Sequence, residues 1–205
     1  AISFESCQPI VAHARAVMAW RNDPETLANS YHRSPKAWES FWPEFRDTYF
    51  THDCFPPPVF ALENDHRVGF LRFRRIAHPG GLAGVTMDIS INVAPEARRH
   101  GLGVQILRAA REHLAGQGVD SILAEVRAEN ETSHKAFAAA GFIALGPARK
   151  RVPDTGEECS IVRYVAELTS SFWRQGRVQI IAEAGSNWRM GTPKRDLAMA
   201  RALIE

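Results

Sequence analysis

The sequence predicts an α/β (α+β) domain: a mixed central sheet with helices on both faces, complete by about Leu168. Three observations carry this. Residues 85–93, VTMDISINV, alternate apolar and polar without a break, the period of a strand. Two helix-period segments, at about 104–115 and 130–140, then bracket a short apolar strand at 121–126, so helices and strands interleave. Finally, 45% of the 205 residues are apolar, enough for a packed core and too many for a disordered chain.

Taken in order, residues 2–6 read as a first strand and 11–22 as a helix that stops before the breaker pair Asp23-Pro24. Ser34-Pro35 signals a helix restart, with Ser34 as N-cap and Pro35 in the first helical position. That helix carries Trp38, Phe41, Trp42 and Phe45, and Pro43 within it predicts a kink or two short helices. The stripe reads either as core or as the lining of a cleft. Strands at 59–63 and 67–75 follow, joined by a hairpin around Asn64-Asp65. In 85–93 the apolar set (Val85, Met87, Ile89, Ile91, Val93) faces one way and Thr86, Asp88, Ser90 and Asn92 the other. Leu107, Ala110 and Leu114 give the next helix its buried stripe; Gly116 and Gly118 end it. After the strand at 121–126 and the helix at 130–140, Gly141 is a stop, and 142–146 and 160–168 close the sheet.

Composition excludes several function classes. A net charge of +2 argues against a dedicated nucleic-acid binder. No apolar run reaches the roughly 18 residues of a membrane span. The N-terminal AISFESCQPI lacks the charged and apolar regions of a signal peptide. Cys7, Cys54 and Cys159 are scattered and lack CxxC spacing, which fits reduced cytoplasmic thiols and predicts neither a disulfide framework nor a metal site.

The most informative stretch is Arg98-Arg99-His100-Gly101-Leu102-Gly103, between a strand and a helix. Its glycines let backbone amides approach a ligand, and the helix behind offers unpaired N–H groups and a positive dipole end, together an anion site. No Gly-Lys-Ser/Thr follows, so this is not a nucleotide-hydrolase loop, and the third glycine of a dinucleotide fingerprint is missing.

Residues 93–103, VAPEARRHGLG, resemble the acetyl-CoA signature of the GNAT acetyltransferase superfamily: a strand ending in V-x-P, then R/Q-x-x-G-x-G/A opening a helix. Residues 130–142, NETSHKAFAAAGF, resemble its second part, an Asn before a helix that closes with Gly-Phe. The resemblance covers residues 1–168 and implies that acetyl-CoA is the donor. It implies that the backbone of Arg98, Arg99, His100, Gly101, Leu102 and Gly103 cradles the CoA pyrophosphate. It implies that pantetheine adds like a strand beside Ile91, Asn92 and Val93, where an N–H polarises the thioester carbonyl. Asn130 and Ser133 would contact the pantetheine arm, and Lys135 or Arg99 a CoA phosphate, Lys135 being equally readable as part of a solvated helix face.

Many relatives place a Tyr seven residues after that Asn as general acid; this chain has Phe137. Solvent or Ser133 is left for the role. Asp88, polar on a central strand, is the first candidate for a general base, and Glu125 on the neighbouring strand is the second; either also reads as a carboxylate that holds an Arg or a helix in place. Trp20-Arg21-Asn22-Asp23-Pro24 resembles a turn of the superfamily branch that contains ribosomal-protein N-terminal acetyltransferases and the N-acetyltransferases of pseudaminic-type amino sugars. It implies acceptor contacts from Trp20, Arg21 and Asn22. Arg72, Arg74 and Arg75 are placed to meet a nucleotide diphosphate, or form a solvated basic strand end.

Beyond a linker at 169–177, residues 178–205 begin VQIIAEAGSNW and run into a further helix. They resemble the opening of the sialic acid synthase family, TIM barrels of about 250 residues, although Trp188-Arg189 stands where many members have His-Asn-Gly. The chain therefore reads as a cytoplasmic acetyltransferase domain, continuous with the first strand and helix of a synthase; the other reading of 178–205 is a strand-helix appendage that packs on the acetyltransferase. The expected acceptor is a nucleotide-linked amino-dideoxy sugar in nonulosonic acid biosynthesis. The alternatives are N-terminal acetylation of a ribosomal protein, or a non-catalytic CoA-sensing domain regulating the synthase.

Overall fold

A computed structural model describes residues 1–78, 84–152 and 155–168. The expected linker at 169–177 and synthase-like segment at 178–205 lie outside the described residues. The rest forms strands β1 (Ile2–Ser6), β2 (Val59–Glu63), β3 (His66–Ile76), β4 (Thr86–Val93), β5 (Ser121–Arg127), β6 (Ile143–Arg151) and β7 (Glu158–Glu167). The helices are α1 (Val11–Arg21), α2 (Pro24–Asn29), α3 (Trp38–Thr48), α4 (Leu102–Gly116) and α5 (Glu131–Ala139). One seven-stranded sheet runs β1-β2-β3-β4-β5-β7-β6, as the mixed-sheet reading predicts.

Side-chain alternation divides the core between the two faces. Phe60 and Phe70 point into one cluster with Ala14 and Val17 of α1 and Phe41 and Phe45 of α3. Their neighbours Ala61, Leu71, Phe73 and Met87 point the other way, onto Ile106, Leu107, Ala110 and Leu114 of α4 and Phe137 of α5. The β2–β3 hairpin turns through Asn64 (φ 50°) and Asp65 (φ 62°), the left-handed pair a two-residue hairpin demands.

Every neighbouring pair of strands is antiparallel except β4 and β5, which run parallel. That pairing covers only Thr86–Asp88 against Ser121–Leu123. Beyond Asp88, β4 stays paired to β3 through Val93, and β5 stays paired to β7 through Arg127. The sheet is thus split along more than half the length of β4.

Four local expectations need correction. Asp23-Pro24 does not merely end α1; it starts α2, with Pro24 at the first helical position and the Asp23 carboxylate accepting from Thr26 N at 3.0 Å. Ser34-Pro35 starts no helix. Asn22 takes both backbone groups of Lys36 (Nδ2 to O and N to Oδ1, each 2.9 Å), which holds this segment extended until α3 begins at Trp38. Nor does Pro43 divide α3, which is one continuous helix in which the fully buried Phe41 and Phe45 stand on either side of the proline. Packing those two rings outweighs the one N–H that Pro43 removes. The closing strand β6 runs five residues past its expected end at 146, because β7 pairs with it as far as Arg151.

Candidate active site

The split in the sheet opens into a cavity of about 460 Å³. Asp88, Ser90 and Asn92 line it from one face of β4, and Ile89 and Ile91 from the other. Arg21 and Tyr49 reach it from the α1/α3 layer, and Ser133 and Phe137 from the α4/α5 layer. The cavity therefore passes through the sheet, which a continuous β4–β5 ladder would forbid. A hollow of similar volume beside Arg108, Arg111 and Gly141 differs chemically: both arginines donate to the last carbonyls of α5, at 2.8 Å to Ala139 O and 2.7 Å to Ala140 O.

At one end of the split, β4 leads through a short helical turn (Pro95–Ala97) into Arg99 (φ 66°) and Gly101 (φ 72°) and so into α4. No side chain caps α4. A Cβ built on Gly101 would meet nothing within 4 Å, and one on Gly103 would meet only Val93 Cγ2, at 3.7 Å. A helix start that no side chain caps, beside glycines with room around them, is an anion cradle. Arg99, His100 and Gly101 are exposed, whereas the Leu102 side chain is core, so what the loop presents is backbone.

The Arg98 side chain has a separate task and leaves its backbone to the loop. Its guanidinium turns away from the loop to bind Asp23 Oδ2 (2.6 Å) and Thr26 Oγ1 (2.7 Å), tying the turn to α2. On α5, Asn130 is the N-cap, its Oδ1 accepting from Ser133 N at 3.1 Å, while both side chains line the cavity. Lys135 is exposed on the outer face of α5 and does not line it.

Both candidate bases line the cavity, in different company. Asp88 has Arg74 as ion-pair partner at 3.6 Å, and burial pushes its carboxyl up to about 6, with the Arg74 charge opposing and the Glu125 charge assisting. Glu125 is bound by Lys150, by Arg163 Nε at 3.3 Å and by Tyr31 Oη at 3.4 Å. Burial raises its proton affinity, but the hydrogen bonds and charges of Lys150 and Arg163 outweigh it and leave the group below the usual carboxylate range. Glu125 is a held carboxylate, and Asp88 is the one poised to change charge near neutrality.

Of the expected acceptor contacts, Arg21, Arg72 and Arg74 line the cavity. Arg21 donates to Tyr49 Oη at 2.5 Å; Arg72 stacks 4.0 Å over the Tyr49 ring and donates to Thr48 O at 2.9 Å. The buried Arg72 Nε has no hydrogen-bond partner among the described residues. Trp20 and Asn22 do not reach the cavity: Trp20 packs edge-on against Phe60 at 6.0 Å, and Asn22 is spent on Lys36. Arg75 is exposed; of the α3 aromatics Phe41 and Phe45 are core, and Trp38 and Trp42, stacked at 5.7 Å, pack half-buried against it. Sequence reasoning missed Tyr31, Tyr49, Arg127 and Lys150, which also line the cavity. Arg127 was accessible, being two residues on from Glu125 and hence on the same strand face; the others arrive through long-range packing that leaves no local pattern. Among the described residues, no group of three His, Cys, Asp or Glu side chains could hold a metal ion, and no helix is long and apolar enough to cross a membrane.

A sheet opened beside an uncapped glycine turn is the architecture of an acyl-CoA transferase, and comparison with known proteins specifies which. The model of the acetyltransferase (GNAT) family matches residues 15–142, and the chain belongs to that family. It is an acetyl-CoA-dependent N-acetyltransferase. Solved structures share the fold. The aminoglycoside acetyltransferase AAC(6')-Ib, with coenzyme A and kanamycin, is 16% identical at a TM-score of 0.65, covering 85% of this chain and 99% of its own. The spermidine N-acetyltransferase of Vibrio cholerae, with CoA and spermine, is 12% identical at 0.67, covering 83% and 98%. An N-acetyltransferase of Staphylococcus aureus Mu50 is 20% identical at 0.61, covering 82% and 99%. No curated protein matches the chain. The donor fits this chain's own features: the turn at Gly101 is exposed and opens a helix that no side chain caps, and the free edge of β4 gives a pantetheine arm the ladder partner that β5 does not.

Proposed function

We propose that this transferase acetylates the primary amine of a nucleotide-linked amino-dideoxy sugar, serving nonulosonic (sialic or pseudaminic-type) acid biosynthesis. The observation that carries the acceptor class is the charge of the cavity. Arg21, Arg72, Arg74, Arg127 and Lys150 line it against two carboxylates, Asp88 and Glu125. Such a lining opposes a polycation and suits an acceptor bearing phosphates. The segment at 178–205, which resembles the opening of a sialic acid synthase, supports the pathway and the reading of residues 1–168 as a transferase domain joined to a synthase.

In this reading the backbone of Arg98–Gly103 holds the pyrophosphate, and Ile91, Asn92 and Val93 add the pantetheine arm as a strand. Bound acetyl-CoA supplies the activated acetyl group and a good thiolate leaving group. An N–H on the open edge of β4 donates to the carbonyl oxygen as charge develops there. Asp88, ionised, accepts the proton that the acceptor amine must lose. Phe137 has no hydroxyl to return a proton to the thiolate, which leaves that step to Ser133 or solvent. Lys135 or Arg99 meets a CoA phosphate.

The test is an acetyl-transfer screen with a nucleotide-linked 4-amino sugar, the free sugar, kanamycin, spermidine and a ribosomal-protein N-terminal peptide. The nucleotide form should exceed the free sugar by at least tenfold in kcat/KM, because the nucleotide contributes binding remote from the amine. Arg72→Ala should raise the acceptor KM about tenfold and leave that for acetyl-CoA unchanged. Rapid acetylation of the peptide or a polycation, with none of the nucleotide sugar, would defeat the reading.

A further inference from the structure

We infer that Glu125 acts through Asp88: it is a positioning residue, a permanently ionised carboxylate clamped by Lys150 and Arg163, that keeps its neighbour able to take up and release a proton. The inference rests on the reading of Asp88 as the base.

The geometry is a row of charges across five adjacent strands on one face of the sheet. Arg74 on β3 lies opposite Asp88 on β4. Asp88 is in register with Leu123 on β5, so Glu125, two residues on, shares its face. Arg163 on β7 is opposite Glu125, and Lys150 on β6 completes the row. Tyr31, from the segment between α2 and α3, covers Glu125 from above, with Lys150 Nζ 4.7 Å from the centre of its ring. Arg72 faces Asp88 from β3, and Arg21 and His32 line the same cavity from the helical side.

The cations are shared unequally. Glu125, with a side chain only 16% exposed, holds Lys150, Arg163 and the Tyr31 hydroxyl. Asp88 is 27% exposed and has Arg74, itself 57% exposed and therefore screened by water. Two carboxylates in one partly dry cavity cannot ionise with equal ease, and the one with the better partners keeps its charge. That charge then disfavours ionisation of the other. Asp88 owes part of its raised proton affinity to Glu125, which is among the causes of its shift.

The experiment follows the Asp88 side-chain carboxyl carbon by NMR through a pH titration of the full chain, the signal being assigned by its loss in Asp88→Asn. Glu125→Gln, which preserves shape, should lower the Asp88 midpoint by about half a unit to one unit. Lys150→Met, which strips a cation from the row, should raise it. Mere loosening of the cavity would hydrate Asp88 and lower the midpoint in both variants, so shifts of the same sign overturn the inference. An unmoved midpoint in Glu125→Gln also overturns it, while leaving the base intact. Undiminished acetyl transfer by Asp88→Asn, with whichever amine the screen finds, overturns the base and this inference with it.

Discussion

Asp88 stands where a neutral side chain would fold better. Its carboxyl is pushed up to about 6, against about 3.9 in an unfolded chain. Between those values the folded state keeps a proton that the unfolded state has lost. Stability therefore falls as pH rises through that window, and the full cost is present above it. Asp88→Asn should gain about 1–3 kcal/mol at pH 7.5 and nothing at pH 4, read from urea unfolding. The same variant should lose at least about 100-fold in transfer while binding CoA as before, which calorimetry would check. Activity of the parent should fall as pH drops through about 6, as Asp88 becomes protonated. Phe137 makes the opposite case. Buried against Phe142 (5.0 Å, edge-on) and Tyr164 (5.6 Å, stacked), it is packing, and Phe137→Leu should cost about 1 kcal/mol with turnover per folded molecule kept.

At the scale of elements, the glycine turn and α2 form one unit. Asp23 caps α2 and also receives Arg98. Asp23→Ala should cost about 2 kcal/mol, one cap and one partly buried charge-assisted bond, and should also weaken CoA binding by loosening the loop. Gly101→Val would place a branched residue at φ 72° and crowd the exposed amides; it should abolish CoA binding while the fold melts only slightly earlier, as calorimetry and thermal unfolding would show. What the sequence made legible follows the range of the interactions. The alternation of Met87, Asp88, Ile89 and Ser90 and the stripe of Leu107, Ala110 and Leu114 are set within one element, and β4 and α4 lie where they were read. Ser34 misled because its segment is fixed by Asn22, twelve residues upstream. Trp20 and Asn22 engage Phe60 and Lys36, contacts that the local pattern of the turn does not announce. Tyr31 and Lys150 were illegible because only the closed sheet brings them to Glu125.

At the scale of the whole molecule, the sheet is two antiparallel blocks, β1–β4 and β5–β7–β6, joined by a parallel ladder of only three residue pairs. Each block closes through its own neighbouring strands, so the seam is where protection against hydrogen exchange should be lowest within the sheet. Without ligand, amides of Ile89–Val93 on the open edge should exchange far faster than those paired to β3. Saturation with CoA should slow them selectively and raise the melting temperature with ligand concentration, as any ligand of the native state must. The donor would then be a structural member as much as a reactant. Each turnover would unlock the seam when free CoA departs and lock it when the next acetyl-CoA arrives, coupling the rigidity of the sheet to the supply of acetyl groups.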